Sequence, residues 1–159
     1  MKLDHIDRKI LKHLQENARI TNADLAERVG LSPTPCLRRL RRLESDGIIQ
    51  GYHAEVNREA LGIAVTVIIL VKLEKEDDGS LRNFEQELKK REEVMECFLV
   101  TGKFDYFIRA LIPSLAAYEA FLSETVLRAP NVATVESSFT LRQVVKRNTV
   151  PIPNTMRAV

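Results

Sequence analysis

No stretch of this sequence approaches the ~20 consecutive apolar residues that a membrane-spanning helix needs. Its opening, Met1-Lys2-Leu3-Asp4-His5, lacks the apolar run of a signal peptide. Cysteine is scarce. Cys36 and Cys97 are the only two, far apart and in no metal-ligand spacing. That argues against a disulfide framework and a zinc site, and for a reducing cytoplasmic setting. Histidine is nearly as scarce: His5, His13 and His53 all lie in the first third of the chain. Beyond them no nucleophile motif or glycine-rich phosphate loop occurs, so the usual groups of acid–base chemistry near neutral pH are missing there. Secreted, membrane-spanning and collagen-like classes are set aside, and neither a metal nor a catalytic cofactor is expected.

What remains is 159 residues, enough for one ordinary domain or two small ones. Hydrophobic residues make up 45% and charged residues 29%, the balance of a packed protein. The net charge of +2 hides an uneven distribution. Residues 1–50 hold ten Lys or Arg against seven Asp or Glu, and residues 51–159 hold fourteen against fifteen. Arg38, Arg39, Arg41 and Arg42 cluster in a stretch with no acid between Glu27 and Glu44. A local basic cluster of this kind points to a polyanion partner more than the net charge does.

The first part reads as three short helices. Ile6, Ile10 and Leu14, with Leu11 beside them, mark one helix face, and Asp4 is a plausible N-cap. Thr21-Asn22-Ala23-Asp24 resembles a capping box opening a helix that Gly30 stops. Ser32 can cap the third helix and Pro33 can stand at its first position. This helix runs to about Asp46, before Gly47. On a helical wheel Pro33, Cys36, Leu37, Leu40 and Leu43 fall within about 60° of one direction. Thr34, Pro35, Arg38 and Arg42 point the other way, with Arg39 and Arg41 on the flanks. Small polar residues at the leading end followed by arginines are what a recognition helix in a major groove needs. Ser32, Thr34, Pro35, Arg38, Arg39, Arg41 and Arg42 are therefore the candidate contacts to double-stranded DNA.

Residues 48–57 read as an extended segment in the position of a wing or linker strand. The expected division is a helix-turn-helix domain at 1–50, a linker strand and hinge at 51–62, and a second domain at 63–159. Ile63–Leu73 is apolar on both alternating faces, so both faces of that strand are expected to be covered. After the break at Asp77-Asp78-Gly79-Ser80 come a helix through Leu81, Phe84 and Leu88, a strand Val94–Val100, a turn Thr101-Gly102-Lys103, a strand Phe104–Ile112, a helix around Ala117, Phe121 and Val126, and a strand Val132–Val145. The order βαββαβ is the ferredoxin-like split unit, and the fold class is α+β. Two helices cover one face of its sheet. The other face then calls for a second copy, making at least a dimer.

The blocks Gly30-Leu31-Ser32-Pro33-Thr34-Pro35-Cys36, Arg41-Arg42-Leu43-Glu44 and Gly47-Ile48-Ile49-Gln50-Gly51-Tyr52 precede Glu96-Cys97-Phe98-Leu99-Val100-Thr101-Gly102-Lys103-Phe104-Asp105-Tyr106. Together they resemble the leucine-responsive and asparagine-responsive (Lrp/AsnC, feast/famine) transcription regulators over nearly the whole chain. The resemblance departs at the N-terminus, where no basic arm is expected ahead of the first helix. It implies a winged helix-turn-helix, a ferredoxin-like domain of RAM or ACT type, dimers joined through the sheets, octamers, and a nucleoid-associated place in the cytoplasm. It also implies an amino-acid effector near the turn between strands two and three, with leucine or methionine expected. Thr101, Gly102 and Lys103 can offer backbone N–H groups to an α-carboxylate, and Asp105 can accept from an α-ammonium. Leu99, Val100, Phe104 and Tyr106 supply surface beside them. Thr134, Glu136 and Ser138, on one face of the last strand together with Thr140, can complete the site.

Two other readings use the same residues. One is an architectural DNA-binding protein with no effector. The other is an enzyme similar to the decarboxylases of modified tetrapyrroles, which the missing histidines disfavour; fold alone does not decide.

Overall fold

Helix formation begins at Asp4. Its carboxylate accepts from the Asp7 amide at 2.8 Å, and the Asp7 carboxylate accepts from the Asp4 amide at 3.2 Å. This reciprocal capping box opens α1, His5–Glu16. The computed structural model describes residues 3–74 and 77–153. Thr21 caps α2, Asn22–Val29, accepting from the Asp24 amide at 3.1 Å and donating to the Asp24 carboxylate at 2.7 Å. Only the Thr21 half of the box expected there forms, because the Asp24 carboxylate is held by the hydroxyl. Gly30 ends α2 with φ of 75°, and the amide of Leu31 bonds back to the Ala26 carbonyl at 2.9 Å.

Helix α3 spans Pro33–Ser45 behind Ser32, which occupies the N-cap but makes no side-chain cap hydrogen bond. An N-cap hydroxyl bonds the amide of the second or third helical residue. The third is Pro35, which has no N–H, so only the Thr34 amide is left to cap; Ser32 does not bond it and stays exposed. Ile10, Leu14, Leu25, Ala26, Val29, Cys36 and Leu43 form the buried core of the three helices. Leu37 and Leu40 are half-buried, as their wheel position requires, while Pro33 is exposed, being at the helix mouth.

Residues 51–57 form no strand ladder among the described residues. A turn follows in which Asn57 accepts from the amides of Glu59 and Ala60 at 3.0 and 3.2 Å. The chain forms two compact units. Of the described residues, one takes in 3–55 and 145–153; the other lies within Val56–Val144. The described part of the terminal segment, 145–153, clusters with the helices, although the expected division places it in the second domain. It is pinned there by side chains. Glu55 accepts from Lys146 and from Asn148, the latter at 2.8 Å, and Gln15 pairs with the Val150 backbone in both directions at 3.1 and 2.6 Å.

The second unit carries β1 (Val65–Leu73), α4 (Asp78–Lys89), β2 (Val94–Leu99), β3 (Tyr106–Ile112), α5 (Leu115–Phe121, continuing into a wider π-helical turn at Leu122–Val126) and β4 (Val132–Phe139). Asp77 caps α4, accepting from the amides of Gly79 and Ser80, each at 3.0 Å. All strand pairs are antiparallel in the order β2-β3-β1-β4. This is the expected α+β arrangement. Val67, Ile69, Val71 and Leu73 of β1, with Tyr106, Ile108, Ala110 and Ile112 of β3, pack against Phe84 and Leu88 of α4 and Tyr118 and Phe121 of α5. The opposite sheet face carries Ile68 and Leu70 of β1 beside Phe107 and Leu111 of β3, all half-buried. Strand β4 stops at Phe139, well short of Val145. The Thr140 amide bonds the Thr66 carbonyl at 2.9 Å, and β1 begins one residue earlier, so the ladder runs out of partner.

Candidate functional site

The leading end of α3 presents Ser32 and Thr34 exposed and Pro35 half-buried. The Asn22 amide braces this end, donating to the Pro33 carbonyl at 2.9 Å. The N-terminus of a helix concentrates unpaired N–H groups and positive potential, so its uncommitted hydroxyls suit phosphate oxygens or base edges.

The four arginines divide differently from the wheel. Arg38 and Arg41 are exposed, and no ion pair holds either among the described residues. Arg39 and Arg42 bend to α1. The Arg39 guanidinium donates to Asp4 at 2.6 Å and to Asp7 at 2.8 Å, and Arg42 donates to Asp7 at 2.6 Å. Asp7 is only 1% exposed. Arg42 stays exposed, as its wheel position requires, but its guanidinium reaches the buried carboxylate, because it shares a ridge with Arg39 one turn away. Hydrogen bonding by the Asp7 amide, together with Arg39, holds the Asp4 carboxyl down at about 2 in spite of some burial. Asp4 and Asp7 were not anticipated as partners of this helix. Asp4 is expected only as an N-cap; its spacing of three from Asp7 is a capping-box signal, but nothing local points to the arginines.

The predicted effector residues fall in three places. Lys103 is exposed in the turn between β2 and β3, and its ammonium meets Glu136 of β4 at 2.7 Å while lying 4.7 Å from the centre of the Phe104 ring. Register puts Glu136 opposite Leu70, Thr134 opposite Lys72 and Ser138 opposite Ile68, so these three β4 residues share the open face of the sheet. Thr101, Gly102 and Val100 are exposed beside them, and Gly102 has φ of 125°, a conformation that favours glycine.

Asp105 lies apart. It is 6% exposed, and its two oxygens accept from Lys72 at 2.8 Å and from the Leu73 amide at 2.7 Å. Burial pulls its carboxyl upward, but these two donors outweigh burial and hold it below the ordinary carboxylate range. The free carboxylate expected to receive an ammonium is a strand-end anchor instead. Tyr106 is buried, its hydroxyl donating to Glu85 at 3.1 Å. Leu99 pairs with Tyr106 in register, so it points to the helix-covered side, into a cleft of about 420 Å³ with Glu85, Lys89, Met95 and Cys97. Pleat alternation therefore separates Leu99 and Tyr106 from Lys103 and Glu136 within one chain.

The whole arrangement is a basic helix on a three-helix unit and a polar turn beside an open sheet face. Matching family models agree with it. Residues 3–50 match a winged helix-turn-helix DNA-binding domain, and residues 66–150 match the Lrp/AsnC ligand-binding domain. The class is that of DNA-binding regulators with a ligand-binding domain, not of enzymes. The chain belongs to the Lrp/AsnC family of transcription regulators. It is 45% identical over 150 residues to the Bkd operon transcriptional regulator of Pseudomonas aeruginosa, spanning 94% of this chain and 98% of that protein. It is 42% identical over 150 residues to the leucine-responsive regulatory protein of Escherichia coli, spanning 94% of this chain and 92% of that protein. A transcriptional regulator of Neisseria meningitidis, solved as a complex with L-Met, superposes with a TM-score of 0.89 at 38% identity, covering 94% and 96% of the two chains. An AsnC family regulator of Agrobacterium tumefaciens gives the same TM-score at 34% identity, over 94% and 97%. No helix among the described residues is long and apolar enough to cross a membrane.

Proposed function

We propose that this regulator reads DNA with the leading end of α3 and answers to a small aliphatic amino acid, leucine or methionine, held beside the turn between β2 and β3. Ser32, Thr34 and Pro35 lead into the groove, with Arg38 and Arg41 behind them. The sheets pair face to face into dimers, and dimers assemble further, with an octamer expected. The observation that carries the effector reading is the exposed Lys103–Glu136 pair. A free amino acid is a zwitterion, and this ammonium and carboxylate are counterparts for its two charges, with the amides around Gly102 adding donors for the α-carboxylate. Val100 and Phe104 are the nearby surface for an aliphatic side chain, and a neighbouring subunit closes the site. Neighbours support the choice of ligand: one relative is named for leucine, and one solved regulator holds L-Met.

Calorimetric titration of the intact protein with each of the twenty amino acids tests this. Leucine or methionine is expected to bind and to alter the DNase footprint, and Lys103→Gln and Glu136→Gln each to weaken that binding at least tenfold. Preference for a charged amino acid, or full affinity in both variants, would move the site elsewhere. DNA binding that ignores every amino acid would make the protein an architectural one.

A further inference from the structure

Two of the four arginines on α3 are already spoken for inside the protein. Arg39 and Arg42 share one buried carboxylate, Asp7, with Asp4 taking a second bond from Arg39. Arg38 and Arg41 carry no such partner among the described residues. We propose that Asp7 sets how much of the recognition helix's charge reaches DNA: it withdraws Arg39 and Arg42 from phosphate contact and leaves Arg38 and Arg41 to meet the duplex. This rests on α3 being the helix that enters the groove.

The electrostatics favour retention of both pairs when DNA arrives. The charge-assisted bonds at 2.6 and 2.8 Å are short, and the carboxylate that accepts them is 1% exposed, although the Arg39 and Arg42 side chains themselves are 27% and 45% exposed. Moving either arginine to a phosphate would strip a buried anion of a partner, which is strongly unfavourable. The consequence concerns selectivity. Every arginine on a phosphate strengthens binding to all sequences alike, whereas base-edge contacts distinguish them. A helix with four free arginines would bind any duplex tightly. Neutralising two keeps the general term small, and tying the same two to α1 fixes the angle at which Arg38, Arg41 and the hydroxyls at the leading end are presented. Asp7 touches no DNA in this scheme and acts as a positioning residue.

The salt dependence of binding counts phosphate-neutralising charges, because the log–log slope changes by about 0.9 per phosphate contact. The intact protein is titrated by fluorescence anisotropy, over a range of salt, against two duplexes: one of random sequence and one selected by the parent protein from a random pool. Arg38→Gln and Arg41→Gln are each expected to make the slope shallower by about 0.9 per DNA-binding domain. Arg39→Gln and Arg42→Gln leave it unchanged, whatever they do to thermal stability. Asp7→Asn steepens the slope on random DNA and narrows the ratio between the two duplexes. A purely structural Asp7 would instead weaken binding to both duplexes in parallel, at constant slope, and that result would overturn the proposal. So would a loss of slope in Arg39→Gln and Arg42→Gln equal to that in Arg38→Gln. The arginine variants decide the matter even if Asp7→Asn fails to fold. If Arg38→Gln and Arg41→Gln change neither slope nor affinity, the recognition-helix reading falls and the role given to Asp7 falls with it, a result distinct from equal losses in all four.

Discussion

Asp105 stands where the β2–β3 turn rejoins β1, and its role follows from what its oxygens touch. The Leu73 amide and Lys72 consume both. Asp105→Ala leaves the Leu73 N–H buried without an acceptor, which costs about 1–3 kcal/mol. A loss of that size is expected in urea unfolding followed by circular dichroism, with the DNA affinity of the folded protein retained; no loss would mean that the anchor is idle. The sign of the pH dependence follows from the depressed carboxyl. Its contribution is fully present above the unfolded value of 3.8 and is lost as pH falls through the lower folded value. Asp4 behaves likewise at the head of α1, in a window from 3.8 down to about 2. An NMR titration of the Asp4 carboxyl should find its midpoint near the lower figure. A midpoint at the ordinary value would show that neither the Asp7 amide bond nor the Arg39 pair persists in solution.

Elements were legible wherever their cause was local. Caps, Gly30 and apolar spacing located α1, α2 and α3 because the signals lie within one turn of the ends they define. The double apolar character of β1 was legible because alternation makes it so. What escaped was set by distant partners. The Arg42–Asp7 bond spans 35 positions, and β4 ends where its antiparallel partner β1 begins. In the effector region the turn and the β4 face were legible, but the sides taken by Leu99 and Asp105 depend on register, which spacing alone does not reveal. The terminal segment is the clearest case, since Gln15 meets Val150 across 135 positions. These two bonds are exposed, so Gln15→Ala should leave the thermal midpoint of the protein within the narrow range of ordinary surface changes. It should nevertheless speed tryptic cleavage after Lys146 and Arg147, because a pinned backbone resists the extended conformation that a protease needs. Unchanged cleavage would mean that the segment is held by something other than Gln15.

At the scale of the whole molecule, the open sheet face is what a single chain leaves unfinished. Leu70 lies at its centre, opposite Phe107 on one side and Glu136 on the other, with Ile68 next along β1 and the Phe98 ring 6.2 Å from that of Phe107. Phe98 is 51% exposed, and the Arg109–Glu96 ion pair at 2.8 Å lies on the same face, with Arg109 opposite Ile68. Aromatic and aliphatic residues mixed with an arginine and paired charges are the composition of a protein–protein interface. In the proposed dimer a second copy covers it, because a twofold axis brings the same apolar residues together. Leu70→Glu places a carboxylate at that centre, facing its own symmetry mate and beside Glu136. Two uncompensated charges desolvated together cost several kcal/mol, enough to split an interface of ordinary strength. Sedimentation velocity at micromolar concentration should therefore show the parent as a dimer or a multiple of it, and Leu70→Glu as a monomer. The helical core is remote from this change in sequence and packs on its own residues, so the variant should keep its helix content. It should bind a single half-site weakly and lose the advantage of two linked DNA-binding domains, which amounts to 10²–10⁴ in avidity on the order of general experience. Retention of the parent's assembly by Leu70→Glu would remove the sheet face from the interface and leave its apolar residues without an explanation in dimerisation.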